Sequence, residues 1–124
     1  MLGKNLRKLP KIELHLHLDC CLSFDVVKKI NPKIDIEAYN KKFKAPSTCS
    51  SVKEYIKCAE YAVDLMQDEK SISLVVEDLF DQLKAENIIY VEIRFAPLLH
   101  CKGELSSKEV VQIVDDICKK CSKK

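Results

Sequence analysis

The chain has 124 residues, 47% apolar and 32% charged, with Lys+Arg 21 against Asp+Glu 19 for a net charge of +2. That length supports one small domain with a real core, and lysines that are dispersed or gathered at the very end (Lys119, Lys120, Lys123, Lys124) leave no nucleic-acid footprint. No apolar run approaches the ~18 residues of a membrane span, and the basic start runs straight into a strand pattern rather than a signal peptide, so neither membrane nor nucleic acid is an expected partner.

Residues 11–19 read Lys-Ile-Glu-Leu-His-Leu-His-Leu-Asp. Ile12, Leu14, Leu16 and Leu18 alternate with Lys11, Glu13, His15, His17 and Asp19, and this period of two predicts a strand. Ser23 is placed to cap a short helix, Phe24–Ile30, that stops at Asn31-Pro32. Residues 31–50 read as a mixed loop with room for a weak helix. Ser51-Val52-Lys53-Glu54 is a capping-box sequence. Behind it Val52, Tyr55, Ile56, Ala59, Val63 and Met66 keep a 3.6-residue period and predict a helix to about Gln67. Ser71 is expected to start another, with Ile72, Val75, Val76, Leu79, Phe80 and Leu83 as its stripe and Asn87 as a left-handed stop. A second strand is expected at 88–95, ended by Ala96-Pro97, and a loop at 98–105. Ser106-Ser107-Lys108-Glu109 is a second capping box, opening a helix with Val110, Ile113, Val114, Ile117 and Cys121 on one side. Strands alternating with helices imply an α/β fold with a parallel sheet and right-handed crossovers. No internal repeat or low-complexity segment is present.

The first strand carries the chemistry. Residues 15 and 17 share a face, their Cα atoms roughly 6.6 Å apart at about 3.3 Å per residue. Two imidazoles at that spacing can close on one metal ion, and Asp19 continues their face at the strand's carboxyl end, where parallel α/β folds place their sites. A solvated strand face accommodates the same residues, so the pair alone leaves both readings open. In the second strand Tyr90, Glu92 and Arg94 alternate with Val91, Ile93 and Phe95. Glu92 or Glu13 is expected to pair with Arg94 as a structural charge.

Two counts narrow the classes further. Only two glycines leave no phosphate-cradling loop. Seven cysteines, an odd number without a secretion signal, fit reduced thiols in a cytoplasmic protein. Cys118-Lys119-Lys120-Cys121 lies at a helix end and reads as helix-face thiols. Cytidine-type zinc deaminases need His-x-Glu and Pro-Cys-x-x-Cys, and the sequence has neither.

Residues 10–19, Pro-Lys-Ile-Glu-Leu-His-Leu-His-Leu-Asp, resemble the opening strand of the adenosine deaminases. Residues 90–97, Tyr-Val-Glu-Ile-Arg-Phe-Ala-Pro, resemble that family's second strand, and residues 105–111 its next helix. The resemblance implies a (β/α)8 barrel with zinc at its C-terminal mouth and hydrolytic deamination of adenosine or 2′-deoxyadenosine to the inosine product plus ammonia. It makes His15 and His17 the first two zinc ligands. It makes His17 and Asp19 the groups that hold the ribose 5′-hydroxyl, and Val52, Tyr55 and Ile56 either an apolar lid over the purine or core packing. A small purine nucleoside is the implied partner.

The same resemblance implies that the third histidine ligand, the aspartate ligand, the catalytic glutamate and a second catalytic histidine lie in later strands. No catalytic residue is therefore expected within residues 1–124. The chain reads as an N-terminal fragment, the first two βα units of an incomplete TIM barrel, inactive alone. His100 receives no ligand role. Cys20-Cys21 stands where the family has a glycine and its neighbour; these are either two inert thiols or the source of a thiolate that completes a closed zinc site in the isolated fragment. Two unpaired strand edges make the isolated chain poorly stable or oligomeric. A catalytically dead remnant or binding module, and a related amidohydrolase acting on another amino-purine, are the alternative readings.

Overall fold

The structure, a computed structural model, describes residues 6–123; the first basic residues and Lys124 lie outside them. Strand β1 spans Lys11–His17 and ends in a 3-10 turn, Leu18–Cys20. Four helices follow: α1 Phe24–Ile30, α2 Ile36–Lys42, α3 Val52–Leu65 and α4 Glu69–Ala85. Strand β2 spans Ile88–Arg94, a second 3-10 turn Pro97–His100, and helix α5 Ser107–Ser122. The two strands pair in parallel, so the described residues form an α/β fold of two parallel strands and five helices.

Local chemistry fixes the boundaries. The Ser23 hydroxyl accepts the Val26 N–H and starts α1 as expected. The mixed loop contains a full helix, α2, because Asp35 accepts the Ala38 N–H at 2.8 Å. Helix α4 starts earlier than Ser71. Asp68 is its cap, accepting the Ser71 N–H at 2.9 Å and the Ser71 hydroxyl at 3.0 Å. Of the two capping boxes, only that of α5 closes fully. At α3 the Ser51 hydroxyl takes the Glu54 N–H, but Glu54 turns to the Ser50 N–H and hydroxyl instead of Ser51. Asn87 takes the left-handed conformation, φ 54°, that ends α4 and turns the chain into β2.

The core cluster joins buried residues of all five helices to Leu18 and Leu22 beyond the end of β1, with Leu16 and the β2 residues Val91 and Ile93 packed against it. The α4 stripe is buried as expected at Ile72, Val75, Val76, Leu79 and Leu83, with Phe80 packed against it. Val110, Val114 and Cys121 of α5 meet it. Helix α3 behaves differently along its length. Ala62, Val63 and Met66 are buried, whereas Val52, Tyr55 and Ile56 are exposed, which removes core packing as their role within the described residues.

Asp78 of α4 ties this scaffold to the end of β1. It accepts the Ser23 N–H at 3.1 Å and the Ser23 hydroxyl at 2.6 Å, and Gln82 bridges it to the Cys21 carbonyl. Asp78→Ala is expected to cost about 2 kcal/mol, since it strips charge-assisted bonds from a part-buried turn. A shift below about 0.5 kcal/mol in urea unfolding, the range of an ordinary surface change, would show that the tie is idle.

The sheet corrects the simple alternation. Lys11 pairs with Ile88 and Ile12 with Tyr90, Glu13 with Val91, then Leu16 with Ile93 and His17 with Arg94. Between Glu13 and Leu16 two residues, Leu14 and His15, face the single Glu92, which is a bulge. Ile12 and Leu14 are therefore exposed on the helix-free face, whereas Leu16 packs inward; the expected single apolar face of Ile, Leu, Leu and Leu is broken. Leu18 and Asp19 are buried in the 3-10 turn rather than in the strand. Among the described residues the sheet has two strands, and β1 and β2 each keep one free edge there. A groove of about 480 Å³, lined by Phe80, Leu83, Ile88, Tyr90, Cys118 and Cys121 among others, flanks β2.

Candidate functional site

The carboxyl end of β1 brings His15, His17 and Asp19 together. The Nε2 atoms of His15 and His17 lie 3.1 Å apart with ring centroids at 5.0 Å. Two imidazoles bound to one tetrahedral zinc at about 2.0–2.1 Å would hold their nitrogens about 3.3 Å apart, so the pair has the separation of two ligands. With Nε2 facing such an ion, the proton sits on Nδ1, and His17 Nδ1 lies 4.0 Å from Asp19 Oδ1. That is beyond hydrogen-bond range but close enough for the carboxylate to orient the ring electrostatically. Asp19 is 7% exposed, while both histidines are open to solvent on the helix-free face.

Among the described residues no group of three or more His, Cys, Asp and Glu converges in the way a metal requires. Of the two readings of Cys20 and Cys21, the closed zinc site is thereby set aside and inert thiols fit. The Cys20 thiol turns toward Asp19 Oδ1 at 3.7 Å. Burial, then Asp19, pushes its pKa up to about 11, and burial followed by Asp19 also raises Cys21. Both stay protonated at neutral pH. The Cys118 thiol is likewise pushed up to about 11 by burial and then Cys121, in keeping with helix-face thiols.

The expected pairing of Arg94 is not made. No ion pair to Arg94 occurs among the described residues. Glu92 accepts from the Tyr90 hydroxyl at 3.2 Å, and Glu13 accepts the His15 N–H at 3.0 Å. Each carboxylate finds a donor on its own strand.

Two features escaped the sequence reading. His100 is not in an open loop; it is 1% exposed in the second 3-10 turn, with Nδ1 3.0 Å from the Met66 carbonyl. Its neighbour Gln67 forms a strap from α3 to that turn, donating to the Leu99 carbonyl and accepting the Lys102 N–H. Gly103 completes the strap, because a Cβ there would stand 2.9 Å from the Gln67 carbonyl oxygen. That is one position where the scarce glycine is required. The strap joins the carboxyl end of β2 to α3, whose exposed Val52, Tyr55 and Ile56 lie at the other end of that helix.

A parallel sheet with helices packed on one face, and candidate ligands on the other face at a strand's carboxyl end, is an α/β arrangement of the kind that places sites at the carboxyl ends of its strands. The family model for adenosine deaminase matches residues 10–124. The adenosine deaminase of Clostridium perfringens is 38% identical over 89% of this chain, and that of Clostridium botulinum is 36% identical over the same share. Each match covers 35% of the relative, so the chain spans about a third of the length of the curated relatives it matches. The structure of an ADAL–IMP complex superposes with a TM-score of 0.70, and the N6-methyl-AMP deaminase of Arabidopsis thaliana with 0.68. Both are 19% identical and cover 94% of this chain and 35% of theirs, so they establish the shared fold. The chain belongs to the adenosine deaminase family.

Proposed function

We propose that this chain supplies the metal-binding and ribose-binding strand of a zinc-dependent adenosine deaminase that hydrolyses adenosine or 2′-deoxyadenosine. The observation that carries the reading is the 3.1 Å approach of His15 Nε2 to His17 Nε2 beside the buried Asp19. A zinc ion held there would acidify water to a pKa near about 7 and so supply a nucleophile at neutral pH. The protein's own residues do the rest. His15 and His17 present neutral imidazole lone pairs on one face. Asp19 orients the His17 ring and accepts a hydrogen bond from the sugar 5′-hydroxyl, which fixes the nucleoside against the metal face. Val52, Tyr55 and Ile56 offer an exposed apolar surface suited to cover a purine. The catalytic acid and base come from residues outside these 124. Seven free thiols favour a cytoplasmic setting, and among the described residues no helix is long and apolar enough to cross a membrane.

Asp19 also decides between nucleoside and nucleotide. A buried carboxylate beside the 5′ position accepts a hydroxyl hydrogen bond and repels a phosphate. The test is a chimera in which residues 10–124 replace the matching third of the Clostridium perfringens enzyme. It should release ammonia from adenosine, with kcat/KM for AMP lower by at least about a hundredfold. A folded, zinc-loaded chimera that is inert toward adenosine, or that prefers AMP, would overturn the reading.

A further inference from the structure

The bulge in β1 is the device that aims the histidines. Ile12 sits beside Tyr90 on the helix-free face. An unbroken strand would carry that phase onward to Leu14 and Leu16, because a one-residue slip exchanges the two faces. His15 and His17 would then turn toward the helices. Setting Leu14 and His15 against the single Glu92 advances the strand by one residue, so that Leu16 packs inward beside Ile93 and His17 stands beside Arg94 on the open face.

A bulge leaves backbone groups without ladder partners. Here the Glu13 carboxylate reaches over Leu14 and accepts the His15 N–H at 3.0 Å. Glu13 itself lies on the other face, opposite Val91, partly buried. From these contacts we infer that Glu13 is a positioning residue: its carboxylate holds the β1 bulge open and thereby keeps His15 and His17 converged on one point. Glu13 touches neither metal nor substrate. Its effect runs through the His15 backbone, and an amide oxygen in its place would serve equally, since Gln keeps the acceptor.

The test compares Glu13→Leu, which keeps side-chain bulk and loses the acceptor, with Glu13→Gln, which keeps both. Amide exchange at His15 reads the bond directly, and titration with Zn2+ alone reads the convergence of the rings. In Glu13→Leu the His15 amide is expected to exchange at least about tenfold faster and zinc affinity to fall by about tenfold or more, the scale of lost ligand positioning. Glu13→Gln is expected to stay within about threefold of the parent on both. The zinc arm rests on the proposed metal site, whereas the exchange arm does not. A parent chain that binds no zinc would sink the metal reading and leave His15 exchange to decide the role of Glu13. Unchanged exchange in Glu13→Leu would overturn the inference, as would fast exchange in Glu13→Gln or a Glu13→Leu chain that no longer unfolds cooperatively.

Discussion

Replacing His17 with alanine is expected to weaken zinc binding by about a hundredfold, equivalent to about 2.7 kcal/mol. The size follows from the donor count. The proposed site has two nitrogen donors 3.1 Å apart, and no third His, Cys, Asp or Glu joins them among the described residues, so His17→Ala leaves a single imidazole. One nitrogen donor gives little advantage over water, because the second bond is made at high effective concentration once the first holds the ion. The stability cost should be small. The His17 side chain is 50% exposed, and its contacts are the His15 ring and, at 4.0 Å, Asp19. Unfolding in urea should shift by less than about 0.5 kcal/mol, the range for an exposed position. Competition with a chromophoric chelator measures the affinity. An unchanged zinc affinity in His17→Ala would mean that the ion seen in the parent sits elsewhere.

The histidine pair and the strand that bears it were legible because His-x-His needs only period two to share a face. The phase of that face was not. Four alternating apolar residues promised one packed side, yet Ile12 and Leu14 stand in the open and Leu16 inside. The break depends on the register with β2, 77 or 78 positions away, and on where the Glu13 side chain finds a donor. Neither is a local property of residues 11–19. The caps show the same limit on a shorter scale. Asp68 and Ser71 are both good cap residues, and the chain resolves the choice by letting Asp68 take both the N–H and the hydroxyl of Ser71. Charges behaved likewise. Glu13, Glu92 and Arg94 were plausible partners by type, but the carboxylates bond within their own strands. His100 gave no periodic signal because its burial is created by α3 arriving with the Met66 carbonyl.

Leu18→Ala should produce the larger effect on the fold, a loss of about 3–4 kcal/mol. Leu18 is 0% exposed and sits between His17 and Asp19, at the point where β1 gives way to the 3-10 turn. Its side chain belongs to the same buried cluster as Val26, Met66, Ile72 and Val76, so it joins the strand end to α1, α3 and α4. Truncation removes buried methyl groups and leaves a cavity that the surrounding helices close only partly. A small domain has about 5–15 kcal/mol in all, so a loss of this size is a large share of the total. The melting temperature should therefore fall by roughly 10–15 °C at this size. Zinc affinity should fall with it, because Leu18 fixes the backbone of both His17 and Asp19. Leu18→Met, which conserves volume, should cost less than about 1.5 kcal/mol and keep zinc binding. Together with His17→Ala the three chains separate two roles on adjacent residues: His17 bears on the ion without the fold, and Leu18 bears on the ion through the fold. A Leu18→Ala chain that lost stability yet bound zinc as tightly as the parent would show that the histidine pair is held by β1 and its bulge alone.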